Sequence, residues 1–519
     1  MRITRRRAVS AIAGAPALLL TREASGQDAL PEIERGPFDG SLEGLKAYQI
    51  PQWFKDAKFG IWAHWGPQSA AEDGDWYARN MYIEDSPQYK DHLQRFGHPS
   101  KVGHKEICRM WTAEKFDPDH LMSLYKKAGA KYFMSMGVHH DNFDLWNSKH
   151  QPRWNAVATG PKKDIVGLWK KAAQKQGLRF AVSEHLAPSY NWFAVSHGSD
   201  KTGPLAGVPY DGTNPEYKDL YHELPAGYTI TPGGMGGSMS NVPLAWKTEY
   251  FLRIKDLVDN YQPDLLYTDG GISFGEIGAR LVSHFYNVNA RLHGGKVEAV
   301  YTSKRRNECE TGTCVYDIER GVADGVMANA WQTDTCIGTW HYKRDVTYKT
   351  PKTVIDMLCD IVSRNGNLML NFPLPNNGEL DAEELKILDE ITKWMAVNGE
   401  GIYATRPWKT FGAGPSLVST TPPNERFNER NRKDLTADDI RFTTKGNLLY
   451  AFVMGWPGKA ASIPSLAAGG KYDVPKIRNV DLLGHKGKLT WHQDSAALKV
   501  ELPEQKPGEY AIAFRIALA

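Results

Sequence analysis

Short apolar runs that break off into polar residues alternate with stretches of helical spacing from Phe59 to Val397. Few architectures accommodate that rhythm. Phe59–Ala63 runs into His64, Tyr132–Val138 into His139-His140-Asp141, and Arg179–Val182 into Ser183-Glu184-His185. Leu265–Tyr267 runs into Thr268-Asp269-Gly270-Gly271, and further strands are expected at 297–303 and 367–372. Between them, helical periodicity predicts helices over 116–128, 164–176, 244–261, 276–292, 351–363 and from Asp381 to Val397. Gly177 suits one helix end, and Asp381 with Glu384 forms a capping-box start. The alternation predicts a parallel barrel, of which about six units can be counted. In such a barrel a carboxylate at the end of a strand faces the catalytic mouth. Asp269 has that position, with two glycines that permit a sharp turn and leave room for a ligand.

The 519 residues exceed one ordinary domain, so a barrel over 27–410 and a smaller unit over 411–519 are expected. Beyond Trp408 the texture changes to Pro, Asn, Thr and charge. Strands at 448–454, 498–502 and 510–516 then predict an antiparallel β-sandwich. Trp456 and Trp491 there read as packing residues rather than a sugar platform. A Gly/Pro-rich insertion over 187–240, containing Gly233-Gly234-Met235-Gly236-Gly237, is expected at the functional face. Basic and acidic residues nearly balance, 63 against 60, which gives no field for nucleic acid or an anionic membrane.

At the N-terminus, Arg5-Arg6-Arg7 precedes an apolar run from Ala8 to Leu20 and a small-residue site at Ala24-Ser25-Gly26. Residues 1–26 therefore read as a twin-arginine export signal, with a periplasmic or secreted bacterial destination and no membrane span. Cys309 and Cys314 are close enough to close a small loop, but folding before export in a reducing compartment weighs against a bridge. No His/Cys spacing reads as a zinc site.

Several ordered motifs resemble glycoside hydrolase family 29, the retaining α-L-fucosidases. They are Trp53-Phe54-Lys55-Asp56-Ala57-Lys58-Phe59-Gly60-Ile61-Trp62-Ala63-His64-Trp65-Gly66, His139-His140-Asp141 with Phe143 and Trp146, and Trp154-Asn155-Ala156-Val157. Gly160-Pro161-Lys162-Lys163-Asp164, the Asp269 strand end, Asn365-Gly366-Asn367-Leu368 and Asn398-Gly399-Glu400-Gly401-Ile402-Tyr403 follow in order. The likeness spans about residues 50–408 and implies a (β/α)8-like barrel followed by a β-sandwich. It implies Asp269 as nucleophile, forming a covalent glycosyl-enzyme, with no metal or cofactor. His64, His139 and His140 would bind sugar hydroxyls, since imidazole both donates and accepts. Adjacent residues on a straight strand point apart, so His139 and His140 both face the lumen only where the strand bends.

Trp76 would supply an indole N–H and an apolar face beside Asp75, where many relatives carry Glu. Ser183-Glu184-His185 departs from a Tyr-centred motif, and Glu184 and His185 are expected in the pocket lining. The acid/base should lie within 304–340. There Glu319 is favoured over Glu308 and Glu310, although Arg320 beside it would lower a pKa that must be raised. Trp340 would add an aromatic wall. The implied activity is exo-hydrolysis of terminal α-L-fucosyl linkages in a fucosylated oligosaccharide or polysaccharide. An α-L-galactosidase is the nearest alternative, because apolar pockets reject an added hydroxyl by only about 10²-fold. A non-catalytic carbohydrate-binding protein is the other.

Overall fold

A computed structural model describes residues 30–231, 241–417 and 426–519. Residues 1–26, read above as an export signal, and the Gly233–Gly237 run lie outside them. Eight parallel strands form the first sheet: β1 (Phe59–Ala63), β2 (Tyr132–Val138), β3 (Arg179–Glu184), β4 (Leu265–Thr268), β5 (Val300–Ser303), β6 (Val315–Tyr316), β7 (Trp331–Cys336) and β8 (Gly366–Asn371). Their order is β6-β5-β4-β3-β2-β1-β8-β7. A parallel bridge between Asp317 and Gln332, with the Ile318 N–H donating to the Gln332 carbonyl (2.9 Å), joins the two ends into a barrel. Alternate strand residues, among them Trp62, Met134, Leu265, Tyr267, Val300 and Met369, fill the interior as a separate apolar cluster. The opposite faces pack under the helices, so the strands are buried on both sides and read as continuous apolar runs.

Helices at Pro118–Lys127, Ile165–Lys175, Leu244–Tyr261, Glu276–Leu292, Pro351–Ser363 and Ala382–Asn398 match the expected spans within a few residues. Gly177, at φ 64°, ends the second of these, and the Asp381–Glu384 capping box opens the last. Two strands escape the sequence reading. β6 has only two residues and is followed by no helix, while β7, Trp-Gln-Thr-Asp-Thr-Cys, is polar where an apolar run is expected. Its polar groups are paired inside the barrel. Gln332 Nε2 donates to Asp317 Oδ2 (2.7 Å), Tyr132 Oη donates to Gln332 Oε1 (2.9 Å), and Thr333 Oγ1 donates to the Ile318 carbonyl (2.7 Å).

The C-terminal unit has a five-stranded antiparallel sheet made of β9 (Arg406–Ala413), β10 (Ile440–Lys445), β11 (Leu448–Val453), β13 (Ile477–Leu482) and β16 (Ile512–Leu518). A three-stranded sheet of β12 (Ala460–Ile463), β14 (Trp491–Gln493) and β15 (Leu498–Glu501) shares its core, with Trp456 and Trp491 packed against it. The expected division at 410/411 falls inside β9, which pairs with β10. Tyr450, Phe452 and Ala513 belong to the barrel's outer core, so the two units interlock. Cys309 and Cys314 are bonded, against the expectation from their folding compartment.

Candidate active site

The β4 strand delivers Asp269 to the barrel mouth, and its backbone N–H donates to the Glu184 carbonyl of β3 (3.1 Å). Gly270 turns there at φ 124° and lines the pocket. Space beside Gly271 is filled by Glu308, Arg305 and Ser303 rather than left for a ligand. The Asp269 carboxylate meets Lys304 Nζ at 2.9 Å, His140 Nε2 at 3.4 Å and His185 Nδ1 at 3.4 Å. Burial by itself would raise its pKa. Lys304, then His140 and His185, overcome that and hold it well below the usual carboxylate range. Asp269 is therefore an ionised carboxylate, 23 % exposed, opening on a pocket of about 800 Å³.

Glu319 lines the same pocket. Lys304 Nζ lies 2.7 Å from Glu319 Oε2, so a single ammonium spans both carboxylates. Their facing oxygens are no farther apart than the sum of those two contacts. Both carboxylates therefore border one space. Burial raises the Glu319 pKa, Lys304 opposes, and Asp334 and Asp269 add to the rise, which prevails. Arg320 points to another acid, its Nε donating to Glu429 Oε1 (2.5 Å). Arg426 reaches Glu319 instead, with Nη2 at 3.0 Å from Glu319 Oε2. The two rival glutamates lie elsewhere. Glu308 accepts from Ser303 Oγ (2.7 Å) and the Ile272 N–H (3.0 Å), while Glu310 pairs on the surface with Arg306 (2.7 Å). Neither lines the pocket.

Opposite the carboxylates, His64, His139, His185, Asp75, Trp76 and Trp340 line the wall. β2 slips register between Met136 and Val138 and ends there, so His139 and His140 both turn inward. Their rings lie 4.5 Å apart, and His139 stacks on His185 at 4.8 Å. Burial pushes the pKa of His64, His139 and His185 below the usual value, which leaves neutral rings able to donate and accept. Asp75 Oδ1 contacts His341 Nδ1 at 2.7 Å. Trp76 meets His140 edge-on, 6.1 Å between ring centres, and Trp192 from the 187–240 insertion backs both. Glu184 departs from its expected place. It sits beneath the pocket, accepting from Thr268 Oγ1 (2.6 Å), Tyr250 Oη (3.0 Å) and the Leu186 N–H (3.0 Å), because its own strand position points away from the lumen.

The clustering also gathers candidate metal ligands that sequence spacing could not show. Donor atoms of His64, Asp75, His139 and His341 lie within 4.8 Å of one another, as do those of His139, His140 and His185. The neutral rings among them, His64, His139 and His185, suit sugar hydroxyls. Lys304, Asp334, His341 and Arg426 were not singled out from the sequence. Lys304 follows the end of β5, so the strand-end rule that selects Asp269 also applies to it. Arg426 comes from the stretch read as a linker, and no sequence signal marks it.

The barrel and C-terminal unit match two family descriptions, "Alpha-L-fucosidase" over residues 28–400 and "Alpha-L-fucosidase C-terminal domain" over 432–517. The chain is 26 % identical to the human plasma alpha-L-fucosidase over 485 residues, covering 90 % of this chain and 89 % of that one. It is 24 % identical to the rat tissue alpha-L-fucosidase, covering 90 % and 89 %. Among solved structures, Thermotoga maritima alpha-fucosidase in complex with a mechanism-based inhibitor aligns with a TM-score of 0.70 at 24 % identity, covering 92 % of this chain and all of that one. With the family description spanning most of the chain and the barrel and carboxylate-lined mouth in place, this protein belongs to the alpha-L-fucosidase family.

Proposed function

We propose that the protein is an exo-acting, retaining α-L-fucosidase that removes terminal α-L-fucosyl residues from glycans. One observation carries the mechanism: an ionised Asp269 and a Glu319 of raised pKa sit close enough for direct attack, with Lys304 between them. Asp269 attacks the anomeric carbon while Glu319 gives its proton to the departing glycosidic oxygen. The C1–O bond breaks as the ester to Asp269 forms. Ester formation removes the Asp269 charge, one of those that raise the Glu319 pKa. Glu319 is then better able to take a proton from the water that attacks C1 and releases Asp269. His64, His139 and His185 offer neutral nitrogens to the sugar hydroxyls, and Trp76 and Trp340 present flat faces to its apolar side.

Export is part of the same proposal. Residues 1–26 have the composition of a twin-arginine signal, and the Cys309–Cys314 bond fits an oxidising destination. Among the described residues no helix is long and apolar enough to cross a membrane.

The deciding experiment offers an aryl α-L-fucoside, an aryl α-L-galactoside and branched fucosylated oligosaccharides, and follows the anomer released by NMR. Fucose released first as the α-anomer is expected. Initial β-fucose would overturn the retaining assignment, and L-galactose as the only product would overturn the substrate.

A further inference from the structure

Behind the catalytic pocket, at the junction of barrel and C-terminal sheet, lies a second cavity. The two share a wall. Glu319 and Phe427 line the catalytic side, and Gly321 and Asn428 line the other. Arg364, Arg432, Lys433 and Arg441 all face the junction cavity.

Among the described residues the acids there do not balance them. Glu429 is held by Arg320 (2.5 Å) and Lys349 (3.3 Å). Asp360 Oδ1 is shared by Arg441 Nε and Arg364 Nη2. Asp324 is exposed at the rim. Arg432 Nη2 and Arg364 Nε are buried without a hydrogen-bond partner among the described residues. Lys433 is exposed and makes no ion pair among them. Burial pulls the Arg432 pKa down, Asp360 and Asp356 hold it up, and Arg441 and Arg364 push it down again. Arg364 is engaged, its Nη1 donating to the Ala323 and Asp324 carbonyls (both 2.8 Å) and its Nη2 to Asp360, which leaves Arg432 and the unpaired Lys433 as the cations to receive an oxyanion. Phe411 under Arg364 (3.8 Å), with Asn428 and Asn431, offers the mixed apolar and amide surface that a sugar ring takes.

We propose that the junction cavity binds an anionic saccharide, a sulfate ester or uronate carboxylate held by Arg432 and Lys433. The proposal rests on the reading of this protein as a glycan-acting enzyme.

Calorimetry on the full-length chain tests it, using a sulfated fucan tetrasaccharide, its desulfated form, a uronate tetrasaccharide and sodium sulfate. Either charged saccharide should bind about tenfold or more tighter than the neutral one. The better of the two identifies the anion. Arg432→Gln and Lys433→Glu should each remove most of that difference while kcat/KM on an aryl α-L-fucoside stays within about twofold of the parent. Lys433 is exposed, so its reversal keeps the test decisive if Arg432→Gln fails to fold. Equal binding of charged and neutral saccharides would overturn the proposal. So would insensitivity to both variants, or sodium sulfate displacing the saccharide at matching concentration. Failure on the aryl fucoside with retained saccharide binding would instead overturn the catalytic reading alone.

Discussion

Lys304 touches both carboxylates, and it moves their pKa values in the same direction. It lowers the Asp269 pKa and opposes the rise at Glu319, so removing it should raise both. Activity needs Asp269 ionised and Glu319 protonated. In Lys304→Met the acid limb of the kcat/KM profile therefore moves to higher pH, and the alkaline limb moves the same way. A pH–rate profile on an aryl fucoside checks this, and an unmoved acid limb would remove Lys304 from control of the nucleophile. Glu319→Gln should separate the two steps by leaving group. On natural glycans, whose leaving oxygen needs a proton, the rate should fall about 10²–10⁴-fold. On an aryl fucoside with a good leaving group, glycosylation should fall far less, and added azide should speed turnover by replacing the water that Glu319 activates. Equal losses on both substrates would place the acid elsewhere. Asp269 and Glu319 were readable in the sequence, the first from its strand end and the second from a resemblance in spacing. Arg426 was not, because a side chain that arrives from beyond the barrel leaves no local pattern.

Among the elements, the long helix Leu244–Tyr261 fixes the loop that carries the histidines. Its Arg253 is fully buried and grips Asp144 through Nη2 (2.5 Å) and Nε (3.2 Å), with Nη1 donating to Asn142 Oδ1. Burial raises the Asp144 pKa to about 6 even against that pairing. Replacing one partner leaves the other charge buried and alone, so Arg253→Met should cost about 3–5 kcal/mol in urea unfolding. A loss below about 1 kcal/mol would mean that the pair is not closed in solution. The sequence reading found this helix at its observed bounds, since eighteen residues of sustained amphipathic spacing dominate any local ambiguity. It missed β7, because that strand's period-2 pattern is carried by Gln, Thr and Asp. Their burial is tolerable only after the barrel supplies partners.

For the whole molecule, barrel and sandwich behave as one structure. Trp394 Nε1 on the barrel's last helix donates to the Ala511 carbonyl (2.7 Å), and Asp360 pairs with Arg441 across the same junction. A chain ending at residue 410 loses those contacts, uncovers apolar surface and lacks Arg426. It should aggregate on size exclusion and show no aryl-fucoside turnover. Full-length Arg426→Ala should instead melt like the parent yet turn over more slowly, and a parent-like rate would show that Arg426 plays no part in catalysis. By itself, the sequence determined the strand–helix rhythm, the helix bounds and the place of Asp269 at a strand end, because these depend on periodicity and on one local turn. The tertiary structure decided which glutamate faces Asp269 and that Lys304 joins the two. It also turned both histidines inward, sent Glu184 beneath the pocket and let Arg426 reach in from the second unit. Those are distances between strand ends and loops remote in the chain, set by barrel closure and interdomain packing, and no local pattern encodes them.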